Sequence, residues 1–207
     1  MVDRKNEIAD AFRGLILLED GRAVSVRRIC RACGIGKNTF YYYFEDRDDL
    51  VRWVFHRGLA KKLLETRSQD EMCFPSHPKY AEFAFYPNAR SEDGDLSLSW
   101  YWVLLGEYFR EESALVRFST GADSPLKRYL YEAYSAELFK DLEYLANSIG
   151  AMLETEDLTF LSAYYTSAIV ECYFDANLLR MMNRGRSEKF ANISHDSMKR
   201  YLESFTV

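Results

Sequence analysis

The chain has little of what most enzyme chemistry is built on: three histidines, four cysteines and four prolines in 207 residues. His56, His77 and His195 are scattered, and there is no GxSxG elbow, no phosphate-cradling glycine-rich loop and no HExxH. Acid–base or nucleophilic catalysis therefore has no centre, and neither an enzyme nor a cofactor is expected. Cys30 and Cys33 form a CxxC that lacks the second pair or the histidine partners of a structural zinc site, so no metal is expected either. Both thiols share a helical face with Val26 and Ile29 and read as small apolar core groups; the other reading is a thiol switch. No run of about 18 apolar residues occurs, and Asp3, Arg4, Lys5 and Glu7 interrupt any apolar leader. A membrane span or a secretory signal is thus not expected, and the cytoplasm is the expected compartment.

What the chain does have is core material and a polarised charge. Hydrophobic residues make up 48% of it, enough for one substantial domain or a small head on a larger body. The net charge of −5 argues at first against a nucleic-acid partner. Its distribution reverses that: residues 22 to 47 carry Arg22, Arg27, Arg28, Arg31, Lys37 and Arg47 against Glu45 and Asp46, a local +4 that leaves −9 on the rest. A basic head can hold phosphates while an acidic body limits non-specific adhesion to DNA.

Within that basic stretch, Ser25 is an N-cap before Val26, Ile29, Cys30 and Cys33, whose spacing gives one apolar helical face, and Gly34 stops the helix. A second helix then begins near Gly36 or Lys37. Phe40 and Phe44, four apart, point to a core shared with a first helix over about Asp3–Leu18, through Ile8 and Phe12. This is the helix-turn-helix layout, in which the second helix enters the major groove. Val24–Ile29, Gly34–Tyr41 and Phe44 followed by a charged turn resemble the N-terminal domain of the TetR/AcrR family of one-component regulators. The resemblance is specific over roughly residues 4 to 60. Tyr43 stands where that family often has His, and Asn38 where it often has Gly, Ala or Pro.

The resemblance implies an all-α protein: a three-helix helix-turn-helix domain at residues 1–46, then a helical-bundle domain at 47–207 for effector binding and dimerisation. It implies a homodimer on a near-palindromic double-stranded DNA operator, released by a small apolar or aromatic effector, with repression as the default. Lys37, Asn38 and Thr39, joined by Arg27, would approach base edges: Lys and Arg suit guanine, Asn adenine, and a Thr methyl thymine. Tyr41, Tyr43 and Arg47 would hold phosphates, Tyr42 either, and Ser25 at its helix start a phosphate oxygen. The alternative is a TetR-like co-regulator that docks on a partner protein without reading DNA, for which the basic face would be superfluous.

In the body, periodicity predicts a helix to about Thr66 and an irregular, aromatic-bearing connection over 67–95, which holds Pro75, Pro78 and Pro87. Helices follow over about Leu96–Glu112, from Asp123 or Ser124 to Gly150, over about Glu156–Asn183, and over 187–207. Fifteen Tyr, fourteen Phe and three Trp exceed what a small head can use. Trp100, Trp102, Glu107, Tyr108, Arg110 and Tyr134 are the expected effector-pocket residues. The helix over 156–183 is apolar nearly all round and must be buried on more than one side. Its small residues Ser162, Ala163, Thr166 and Ser167, with Leu158 and Val170, are the expected dimer face.

Overall fold

The structure is a computed structural model and describes residues 3–19, 24–88, 90, 98–119, 124–181 and 183–206. Arg22, residues 91–95 of the connection, Leu96 and Asp123, all used above, lie outside the described residues. Among the described residues the architecture is all-α apart from one two-residue ladder and an isolated bridge between Ala151 and Thr206. The first three helices are α1 (Arg4–Leu18), α2 (Val26–Cys33) and α3 (Lys37–Tyr43). Asp3 caps α1 through Lys5 N–H, and its core face is Ile8, Ala9, Phe12 and Ile16. Helix α4 (Arg47–Leu64) starts where Asp46 accepts Asp49 N–H at 2.7 Å, and it carries Leu50, Val54, Phe55, Leu59 and Leu63 inward. It belongs equally to head and body, because one uninterrupted buried cluster runs from Ile8 through Phe40, Phe44 and Trp53 to Tyr134 and Ala191.

The irregular connection is a strap rather than a solvated linker. After a 3-10 turn at Gln69–Glu71, strand β1 (Met72–Cys73) pairs antiparallel with β2 (Tyr86–Pro87), in register Met72 with Pro87 and Cys73 with Tyr86. This ladder closes the base of a loop that buries Tyr80, Ala84, Phe85 and Tyr86. The prolines prevent a helix here, and the aromatics supply the burial that keeps the loop on the body.

The body follows as α5 (Ser99–Glu111), α6 (Ser113–Phe118), α7 (Pro125–Ile149), α8 (Thr155–Phe174), α9 (Ala176–Met181) and α10 (Arg184–Glu203). Ser124 caps α7 through Lys127 N–H with Pro125 at its first turn, and Gly150, at φ 71°, closes it in the left-handed conformation glycine tolerates. The single helix expected over 156–183 is two. Asp175 leaves helical geometry, and its carboxylate accepts Asn177 and Leu178 N–H, so an Asx cap begins α9 while α8 ends. A second buried cluster, Leu138, Leu142, Leu145, Leu158, Leu161, Met198 and Leu202, fills the far end of the body between α7, α8 and α10.

Candidate nucleic-acid interface

The turn between α2 and α3 is built by backbone chemistry. Gly34 ends α2 at φ 64°, and Ile35 N–H reaches back to Cys30 C=O at 3.0 Å, the long bond of a Schellman cap. Ser25 Oγ accepts Arg28 N–H at 3.4 Å, and its own hydroxyl proton can go to a phosphate oxygen. Helix α3 packs Phe40 and Phe44 at zero exposure, the rings 5.8 Å apart, and Phe44 meets Trp53 of α4 edge-on at 6.0 Å. Two aromatic anchors on one side leave Lys37, Asn38, Thr39, Tyr41 and Tyr42 exposed on the other, with Arg27 exposed on α2. Tyr42 is 81% exposed, and Tyr43, half-buried, holds it edge-on at 4.9 Å. Free donors on a rigid helix match a polyanion with readable base edges. Gly36, which N-caps α3, leaves the first amides of that helix without a side-chain cap.

Arg47 is placed differently from the phosphate-holding position expected for it. Its guanidinium lies over the Phe118 ring of α6, 5.2 Å from the centroid, and it pairs weakly with Asp48 at 3.6 Å. Phe118 in turn meets Phe12 edge-on at 5.1 Å, and Arg13 pairs with Glu112, so Arg47 belongs to the seam between head and body. In the CxxC, Cys30 is buried and Cys33 partly so; burial, with Cys30 and Glu7 nearby, pushes the Cys33 thiol above its ordinary range and disfavours the reactive thiolate.

A residue that sequence reasoning did not single out fixes the loop behind α3. Asp49, in the first turn of α4, is 2% exposed and accepts Glu45 N–H at 2.9 Å, Tyr80 O–H at 2.5 Å and the Lys79 ammonium. Burial alone would raise this carboxyl, but the bonds from Lys79, Tyr80 and Glu45 outweigh it and hold Asp49 below the usual carboxylate range. Lys79 and Tyr80 come from the strap, thirty residues away in sequence, so no local pattern reveals the site. Further along α4, His56 is fully buried against Tyr80 and bonds Tyr129 Oη of α7 at 2.6 Å, while its Nδ1 has no hydrogen-bond partner among the described residues. Desolvation, with Arg52 and His77 adding, lowers its pKa to about 3, so the ring is neutral.

Among the described residues, the six expected to form one effector pocket divide between the core and a surface cleft. Trp102, Tyr108 and Tyr134 are buried, and two hydroxyls are already used: Tyr108 O–H donates to Phe55 C=O at 3.1 Å, and Tyr101 O–H reaches Tyr134 Oη at 3.0 Å. Trp100 and Glu107 line a cleft of about 450 Å³, together with Arg67 and Arg184; Arg67 lies over the Trp100 ring at 4.7 Å. Arg110 stands apart from that cleft on α5. The aromatic surplus thus fills the core, as polar-tipped rings do when their hydroxyls find partners.

Four of the six residues expected on a dimer face lie inside the subunit. Leu158, Ser162, Thr166 and Val170 are buried within the subunit, where α8 packs along α7; Ala163 is half-buried and Ser167 exposed. The outward stripe is instead Phe160, Tyr164, Ser167, Ala168 and Glu171, with Phe160 67% and Tyr164 60% exposed. Ser162 and Thr166 face in, where α7 packs closely, while Ser167 and Ala168 lie outside beside the Phe160 and Tyr164 rings. No helix among the described residues is long and apolar enough to cross a membrane.

Residues 8–54 match the family model of bacterial regulatory proteins, tetR family. Over 54 residues the chain is 33% identical to the HTH-type dhaKLM operon transcriptional activator DhaS of Lactococcus lactis subsp. lactis (strain IL1403). That alignment covers 26% of this chain and 29% of the relative's length. A solved structure described as the dihydroxyacetone kinase operon activator DhaS superposes over 100% of both chains with a TM-score of 0.55 at 16% identity, a likeness of fold.

Proposed function

We propose that the chain, whose residues 8–54 match the model of bacterial regulatory proteins, tetR family, is a regulator of that family: a cytoplasmic homodimer that reads a near-palindromic operator and answers to a small effector. The observation that carries the reading is the exposed face of α3, Lys37, Asn38, Thr39, Tyr41 and Tyr42, held rigid by Phe40 and Phe44 inside the matched segment. Lys37, Asn38, Thr39 and Arg27 approach base edges; Ser25, Tyr41, Tyr42 and Tyr43 hold phosphates and set the register. Arg47, seated on Phe118, tensions the seam instead.

The division of labour is a reading head over residues 1–46 and an effector-binding, dimerising body over 47–207. The second copy docks on the outward face of α8, where Phe160 and Tyr164 form the largest exposed aromatic pair on that helix. Two heads related by a two-fold axis meet two half-sites about one helical turn or more apart. Since the Lactococcus relative is named an activator, bound protein here is as compatible with recruitment as with repression. A reporter placed under the recovered operator decides the sign.

The test is selection of genomic fragments by the purified protein at near-physiological salt, beside a Thr39→Ala/Tyr41→Phe control. The expected result is an enriched near-palindrome that the control fails to recover. Equal enrichment by both proteins, or none by either, sinks the α3 assignment and favours docking on a partner protein.

A further inference from the structure

The strap grips two buried carboxylates in the same way, once at each end. At one end Tyr80 and Lys79 hold Asp49 of α4, which itself holds the loop behind α3. At the other, Tyr86 O–H donates to Asp141 of α7 at 2.7 Å, and Arg90 bonds Asp141 at 2.9 Å and Glu137 at 3.3 Å. Between the anchors, His56 of α4 bonds Tyr129 of α7 beneath the strap. One irregular segment therefore joins α7 to the backbone that carries the recognition helix, through bonds with little freedom to rearrange independently.

A cleft of about 310 Å³ opens between this strap and α7. Phe85 and Tyr129 give it aromatic surface, Ala136 a gap where a larger side chain would fill it, and His77, Glu132 and Glu137 polar groups. Glu137 is neutralised by Arg90 and Lys140, whereas Glu132 is exposed and has neither hydrogen bond nor ion pair among the described residues. Aromatic faces beside an unneutralised carboxylate favour an apolar body that bears a cation.

We propose that the cleft beneath the strap is the effector site, that it takes a small amine with an apolar body, and that the strap carries its occupancy to the DNA-reading head through Asp49. This rests on the regulator reading above for its second half only; the binding site stands or falls without DNA. An occupant that fits α7 and the strap better in one arrangement than another biases the Tyr80–Asp49 anchor, and with it the loop behind α3.

Calorimetry on the full chain with benzylamine, benzyl alcohol and benzoate as probes tests the site. Saturable binding of benzylamine alone is expected, weakened about tenfold in Glu132→Gln and abolished in Ala136→Trp. Absence of saturable benzylamine binding, equal binding of either uncharged or anionic probe, or binding that survives both substitutions overturns the site. The strap route is read separately with the recovered operator. Benzylamine should change operator affinity in the parent protein, but not in Tyr80→Phe, which keeps the cleft and still binds benzylamine. A Tyr80→Phe protein that couples as the parent does overturns the route. Failure to recover any operator counts against the regulator reading, while the calorimetric arms still decide the cleft.

Discussion

Helices α3 and α8 both hold aromatic rings in solvent, yet the surroundings of those rings differ in kind. On α3, Tyr41 and Tyr42 stand beside Lys37, Asn38 and Thr39, and every exposed group has a proton to donate. On α8, Phe160 and Tyr164 stack at 6.3 Å beside Ser167 and Ala168, with Glu171 tied to Lys127. The first face can satisfy a phosphate backbone and base edges; the second offers apolar area and smooth shape, which suits another protein surface. Exposure of rings alone therefore says little, and the polarity of the residues one turn away decides the partner.

The firmest way to break the comparison is from behind. Phe40→Ala removes the anchor of α3 and should cost about 3–5 kcal/mol, as large-to-small changes in a packed core do, read by denaturant unfolding and accompanied by loss of operator binding. The same logic on α8 distinguishes its two faces. Leu158→Ala should destabilise by about 2–5 kcal/mol, whereas Phe160→Asp/Tyr164→Asp should leave the helical circular dichroism intact and yield a monomer in sedimentation. A double variant that stays dimeric would place the interface elsewhere. On the front of α3, Lys37→Ala and Tyr42→Ala should each weaken operator binding by about 1–3 kcal/mol without moving the melting temperature, and Lys37→Ala should also flatten the salt dependence.

The smallest expected effect sharpens the contrast between surface and interior. His56 is pushed down to about 3 by burial, so below its ordinary 6.5 the unfolded chain takes up a proton that the folded chain refuses. Stability due to His56 is present above 6.5 and falls with pH towards 3. Asp141 behaves in the opposite sense. Burial raises it to about 6 from 3.8 against the bonds from Tyr86 and Arg90, so its contribution is full below 3.8 and is lost as pH rises through 6. Between about pH 6 and 4 the two slopes, each about 1.4 kcal/mol per pH unit, oppose each other. Asp141→Asn should therefore steepen the loss of stability on acidification in that window, followed by thermal melts across pH. A slope unchanged from the parent would show that one of the two groups does not titrate as described.

The head was legible because its determinants are local. Ser25, Gly34, Gly36, Phe40 and Phe44 act within one or two helical turns of each other, and each has a cap, a left-handed turn or a spacing as its signature. The body's helices were legible to within a few residues for the same reason, through Ser124, Pro125 and Gly150. What stayed hidden depends on distant pairs. Asp49 with Tyr80, Asp141 with Arg90 and His56 with Tyr129 join residues 31 or more apart. On α8, periodicity identifies a helix apolar all round but does not say which half faces α7, and the small residues divide between the two halves, Ser162 and Thr166 inward and Ser167 outward. The break at Asp175 escaped because its carboxylate reads equally well as a solvated helix residue and as an Asx cap.

The continuous buried cluster from Ile8 to Ala191 has a bearing on modular engineering. Cutting the chain after Phe44 would strip Trp53, Val54 and Phe55 from the rings they cover, and a graft onto a foreign body would need to carry α4, with a new partner for Arg47 and for Asp49. Shuffling of specificities within such a scaffold is therefore easier by changing the outward residues of α3 than by exchanging whole reading heads, and any natural recombination point that preserved the fold would fall beyond Leu64.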